Sequence, residues 1–178
     1  DNNANTTNDV LNASCVCIGS PTVVSVAARV ILEGPYNSTT GLMNDALRSL
    51  GTFPLSDPYP ALGYVHTGSG TGGPVAPAVI ATGGTDAIVD WVLLELRSTS
   101  NPATILASRS ALVQRDGDVV DVDGTSPVSF IIASGNYFVA VRHRNHLGCM
   151  TAGALSLGAA ASPVDLTSSA LSTFGTNA

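Results

Sequence analysis

The sequence predicts an all-β fold: an antiparallel β-sandwich, jelly-roll or immunoglobulin-like, with a short helix in a long loop. Three observations carry that expectation. Short apolar and β-branched runs recur along the second half of the chain, each closed by a turn signal. No strand–helix–strand alternation occurs, which argues against a parallel nucleotide-binding sheet. The composition is that of a folded chain with an uncharged polar surface. It has 44% hydrophobic and only 11% charged residues, with mean hydropathy +0.30, where ordinary domains carry about 25% charged residues. Disordered chains combine high charge with low hydropathy, the opposite pattern.

The elements follow in order. Residues 1–14 are polar and rich in Asn, without the basic start and apolar core of a signal peptide. They read as a mature N-terminus left after signal-peptide removal. Residues 1–21 are expected to form an extended tail, 22–168 the sandwich, and 169–178 a C-terminal tail. Residues 22–33 (TVVSVAARVILE) read as a strand stopped by Gly34-Pro35. Residues 36–84 read as mostly irregular, with a helical turn or two over 41–50, where Leu42, Met43, Ala46, Leu47 and Leu50 fall near helical spacing. Pro54, Pro58 and Pro60 then disfavour regular structure, and residues 68–74 (GSGTGGP) read as a loop. Strands are expected at 87–97, 103–115, 119–122, 128–133 and 137–144, with closing strands at 154–157 and 164–167.

Charge excludes one class of function. Seven basic residues, all Arg, against thirteen acidic ones give net charge −6 and an isoelectric point near 4.6. A nucleic-acid binder needs a basic footprint, so none is expected. No apolar run reaches the roughly 18 residues of a membrane span. Gly68, Gly70 and Gly73 match G-x-G-x-x-G, but Pro74 follows, with neither the strand before nor the helix after that phosphate binding requires. No nucleophile elbow and no isolated pair of catalytic carboxylates stands out, so no enzyme activity is expected.

Four motifs are candidate sites. Asp116, Asp118, Asp121 and Asp123 crowd into eight residues. Clustered carboxylates on a loop suit a hard cation such as Ca²⁺, although no Glu completes an EF-hand; Asp-Gly is equally a turn pair. Arg142-His143-Arg144-Asn145-His146 is the one basic cluster. It would pair with that acidic loop or with Asp90 and Glu95. As a ligand site, Arg142 and Arg144 would bind a carboxylate or an acidic sugar, with Trp91 as a sugar platform if it is not core. Cys15 and Cys17 would share one strand face, so only one of them pairs with Cys149. Cys17–Cys149 is the expected disulfide, and the leftover thiol is free or bonded to another chain. Finally, Leu11, Ala13, Cys15, Val16, Cys17 and Ile18 read as a donor strand, an extended apolar segment able to add to a neighbouring subunit's sheet. Residues 170–174 are a weaker candidate for the same role. Sequons begin at Asn5, Asn12 and Asn37.

The segments EGPYNSTTGLMNDALRSLG, PLSDPYPALGY, AIVDWVLLELR, ASRSALVQRDGDVVDVDG and GNYFVAVRHRNHLGCMT together resemble a domain of large secreted surface proteins of Bacteroidota-type bacteria, of the kind called haemagglutinin-like or adhesin-like. The resemblance spans about residues 23–166. It implies an exported, non-catalytic β-sandwich and transfers no binding residues. The Cys15-Val16-Cys17 tail departs from that pattern.

The resulting expectation is a secreted structural subunit. Copies of it self-assemble into an extracellular filament or surface layer through strand addition, a contact that need not close on itself. Edges are commonly blunted with Lys, and this chain has none. The alternative is an adhesin module that binds glycans or a host surface.

Overall fold

A computed structural model describes residues 6–68, 70 and 72–175. The start of the expected tail (1–5, with Asn5), loop positions 69 and 71, and residues 176–178 of the expected C-terminal tail lie outside the described residues. The fold is an all-β antiparallel sandwich with little helix, as the sequence predicts.

The chain opens with a hairpin, β1 (Thr6–Leu11) and β2 (Cys17–Pro21), which forms a two-stranded sheet of its own. β3 (Val23–Arg29) follows at once and enters the main sheet. β4 (Tyr36–Asn37) and β5 (Leu42–Met43) make a minimal hairpin. The expected helical turn is a 3₁₀ turn at Ala46–Ser49. A second 3₁₀ turn, Pro60–Leu62, and one four-residue helix, α1 (Pro77–Ile80), punctuate the rest of the loop. Both begin at a proline, whose fixed φ suits a first helical position and whose missing N–H costs nothing there. The longest strands are β6 (Ile88–Arg97) and β7 (Ile105–Gln114). Then come β8 (Asp118–Val120), β9 (Val128–Ile131), β10 (Gly135–Arg142), β11 (Cys149–Met150), β12 (Leu155–Leu157) and β13 (Ser162–Asp165).

The main sheet runs β11-β10-β6-β7-β8-β3-β13, with β12 beside β10 and β9 beside β3. β13 runs parallel to β3, and the other pairs are antiparallel. The sheet folds over one core. Val24 and Val26 of β3, Phe130 of β9 and Val164 of β13 meet Val92, Leu94 and Leu96 of β6 and Val139 and Val141 of β10. Just after β12, the Gly158 carbonyl accepts the Ser25 N–H at 2.9 Å and closes the far side.

β6 explains why its sequence hardly alternates: both of its faces are covered. Val92, Leu94 and Leu96 face the core, while Ile88, Trp91 and Leu93 pack against Phe53, Tyr59 and Val75 of the long loop. A bulge between Ile88 and Asp90 shifts the alternation and lets Val89 join the core side. The Asp-Gly turn between β7 and β8 needs its glycine. Gly117 has φ +98°, and a Cβ there would lie 2.6 Å from the Val30 carbonyl oxygen. That close approach lets the Gly117 carbonyl accept the Val30 N–H at 2.9 Å, tying the turn to the end of β3.

Leu94→Ala is expected to lower stability by about 2–5 kcal/mol, the cost of a truncated core leucine. Urea unfolding followed through the emission of Trp91, the one tryptophan, measures it.

Candidate functional site

The N-terminal segment does not run straight. Asn12 reverses it: its side-chain Oδ1 accepts the N–H groups of Ser14 and Val16 at 2.9 and 3.0 Å. The Asn12 carbonyl accepts the Cys15 N–H, and the Val16 carbonyl accepts the Asn12 N–H, both at 3.0 Å. This is the ordinary capacity of Asn to cap its own turn. The expected single donor strand from Leu11 to Ile18 is therefore corrected to a tight hairpin. Leu11 sits opposite Cys17 and Val10 opposite Ile18, so apolar side chains lie on both faces. Ala13 and Val16 are in the turn, and Cys15 there has φ +58°. Val10, Leu11, Val16 and Ile18 are 57%, 72%, 54% and 49% exposed. The weaker candidate, residues 170–174, pairs at home instead: Thr173 bridges Thr151, and the Phe174 N–H donates to the Met150 carbonyl at 2.7 Å.

The basic cluster lies against two buried carboxylates of β6. Glu95 is fully buried. Its oxygens accept from Arg97 Nε at 2.8 Å, Arg142 at 3.2 Å and the Tyr64 hydroxyl at 2.9 Å. Burial and the Glu95 charge push the Tyr64 phenol up to about 12. Asp90 accepts from Arg144 at 2.8 Å, His143 Nε2 at 3.1 Å and the Trp91 N–H at 2.8 Å. Burial alone would raise the Asp90 carboxyl, but the bonds from His143 and Trp91 and the Arg144 charge outweigh it and hold it below the usual range. Of the two pairings the sequence leaves open, the cluster takes Asp90 and Glu95.

The two histidines extend this network in one direction. The Asn145 N–H donates to His143 Nδ1 at 3.0 Å, and His143 Nε2 lies 3.1 Å from an Asp90 oxygen. The Gly34 N–H donates to His146 Nε2 at 3.3 Å, and His146 Nδ1 lies 2.9 Å from His143 Nδ1. Burial and the neighbouring His143 lower the His146 titration.

Trp91 is not a sugar platform. It is fully buried, and its indole N–H donates to the Pro54 carbonyl at 2.8 Å. Arg144 is mostly buried on Asp90. Arg142 alone of the three expected ligand residues stays half open, its guanidinium 6.0 Å over the Tyr64 ring. It borders a recess of about 420 Å³ with Tyr59 and Leu62.

The expected calcium loop is not assembled. Both Asp121 oxygens accept from Arg109, at 2.9 and 2.7 Å. Asp123 caps its own turn through Thr125 and Ser126. Asp116 caps the Asp118 N–H, and Asp118 faces Arg29 at 3.8 Å. Among the described residues no group of three or more His, Cys, Asp or Glu is placed to hold a metal ion. The expected Cys17–Cys149 disulfide is not formed either. Cys15, Cys17 and Cys149 are free thiols; Cys17 belongs to the hairpin sheet and Cys149 pairs with Val141 in the main sheet.

One constellation has no sequence signature. His66 joins Asp57 through Nε2 at 2.7 Å and Ser108 through Nδ1 at 3.1 Å, with Ser110 at 3.3 Å from Nε2. The residue types are those of a hydrolase triad, but both serines are fully buried, and the Ser108 hydroxyl already accepts the Thr67 N–H at 2.9 Å. A nucleophile has to reach its substrate. This network instead pins the long loop onto β7.

No protein family, curated protein or solved structure matches the chain. Among the described residues no helix is long and apolar enough to cross a membrane.

Glu95→Ala should cost more than Arg142→Ala, because it empties a fully buried position and removes the carboxylate that Arg97, Arg142 and Tyr64 share, whereas Arg142→Ala, at a half-open position, should cost under about 1 kcal/mol; urea midpoints separate the two. A carboxyl held low in the folded state contributes fully above its unfolded value near 4, and that contribution is lost as pH falls through the folded value. Stability of Asp90→Asn should therefore fall less steeply than wild type below about pH 4, measured as urea midpoints across an acid series.

Proposed function

We propose that the protein is an exported structural subunit that associates with copies of itself into an extracellular filament or surface layer, using the N-terminal hairpin as the connector. The observation that carries this reading is the hairpin. Strands β1 and β2 pair with each other and, among the described residues, with no other strand. A lone two-stranded hairpin is marginal in water, and stability comes from a third strand or an apolar cover. Val10, Leu11, Val16 and Ile18 meanwhile stand half to three-quarters exposed, so each has about half or more of the roughly 1.5–3 kcal/mol of full side-chain burial still to gain. A second copy supplies what the hairpin lacks. Export is inferred from the resemblance to secreted surface proteins.

Deleting residues 1–20 should leave a folded monomer by circular dichroism and sedimentation, while wild type shows regular assemblies in negative-stain micrographs. A deletion variant that still assembles refutes the connector. Dispersed wild-type particles would shift the assignment to a glycan-binding module, with the recess beside Arg142 and Tyr64 as its contact.

A further inference from the structure

We infer that the hairpin of one copy seats in a specific groove of the next, between the 101–103 turn and β11, and that a hairpin cysteine there meets Cys149. This rests on the hairpin-mediated assembly proposed above and adds its acceptor and its lock. The groove holds about 560 Å³. Its floor and walls are largely apolar, with Pro102, Ala103, Ala140, Met150 and Phe174 among them. Arg97 and Arg142 also line it.

Three features of the molecule select a second copy as the occupant. The first is apolar fit: the groove offers cover of the kind that Val10, Leu11, Val16 and Ile18 lack. The second is charge. Arg97 and Arg142 share one carboxylate, Glu95, so the pair leaves one positive charge in excess at the groove of a chain whose net charge is −6. The hairpin, residues 6–21, carries Asp9 and no basic residue. The third is the placement of thiols. All three are free, two on the hairpin and one in the groove. Cys15 occupies a left-handed turn position that Gly or Asn would fill with less strain, and its residue is exposed. Cys149 is half-buried, and burial pushes its thiol up, so it forms little thiolate in the free subunit.

The bond needs an external disulfide as oxidant, such as glutathione disulfide. A hairpin thiol loses its proton to solvent and attacks one glutathione sulfur, breaking the S–S bond, forming a mixed disulfide and releasing a glutathione thiolate that takes up a proton from solvent. After docking, Cys149 loses its proton and attacks the hairpin sulfur. The hairpin–Cys149 disulfide forms and the second glutathione thiol leaves. Two protein thiols are oxidised and one glutathione disulfide is reduced.

The test is assembly of full-length protein in a glutathione redox buffer, quenched by alkylation and run on non-reducing gels. Wild type should give a ladder at multiples of 18.0 kDa. Cys149→Ser and the double variant Cys15→Ser/Cys17→Ser should each lose the ladder yet still assemble in micrographs. Ala103→Asp sets a carboxylate at an exposed groove position, facing the acidic hairpin. It should raise the concentration needed for assembly by at least ~10-fold with an unchanged circular dichroism spectrum. A ladder that persists in Cys149→Ser, a wild-type bond found only within the monomer, or unaltered assembly of Ala103→Asp would overturn the groove assignment. Loss of assembly on deleting residues 1–20 would still stand in those cases, so the two failures are distinguishable.

Discussion

The structure depends on one strand that is buried on both faces and yet carries charge. β6 has the sandwich core on one side and the long loop on the other, and Asp90 and Glu95 lie within it. An unpaired buried carboxylate costs several kcal/mol, so each must bring partners with it. Arg97 comes from the strand itself, Arg142, His143 and Arg144 from the end of β10, and Tyr64 from the loop. The loop is thereby held by polar bonds as well as by Phe53, Tyr59 and Val75. His146 carries the same network to Gly34 beyond β3. What resembles a binding cluster in the sequence is mostly the counter-charge of a buried strand.

That internal economy separates the body from the hairpin. In the body, carboxylates and guanidinium groups find one another, and Asp121 takes Arg109 as Asp90 takes Arg144. The hairpin instead presents apolar side chains outward on both faces of a two-stranded sheet. Among the described residues its apolar side chains Val10, Leu11, Val16 and Ile18 stand exposed where those of β6 are covered on both faces.

The long strands were legible in the sequence because β6, β7, β9 and β10 are apolar runs bounded by Gly, Pro and Asn, whose turn chemistry is local. The hairpin was not. Its reversal hangs on the Asn12 side chain capping its own turn, inside a stretch whose period suits a single strand equally well. Two-residue strands such as β4, β5 and β11 are too short to leave a pattern. The pairing of Arg142 and Arg144 with β6 was legible as one of two options, since acids are scarce. For Asp116, Asp118, Asp121 and Asp123, spacing along the chain says nothing of aim: Asp121 points across to Arg109 on β7 while Asp123 turns back on Thr125 and Ser126. The Asp57–His66–Ser108 network joins residues 42 and 9 positions apart from His66. Only the folded loop brings them together.

The parallel pairing of β13 with β3 has a mechanical side. The register advances from Ser162 opposite Val26 to Asp165 opposite Arg29, so the chain enters β3 from the hairpin at one end of this pair and leaves β13 at the other. Tension drawn between the hairpin and the chain beyond β13 therefore slides the two strands along each other. It loads their ladder of hydrogen bonds together, where an antiparallel exit would peel them apart one by one. Forced opening is governed by the unfolding rate, and a shear-loaded ladder must yield as a unit. A subunit tethered through its hairpin would meet a pull along that line with its first and last sheet strands clamped side by side.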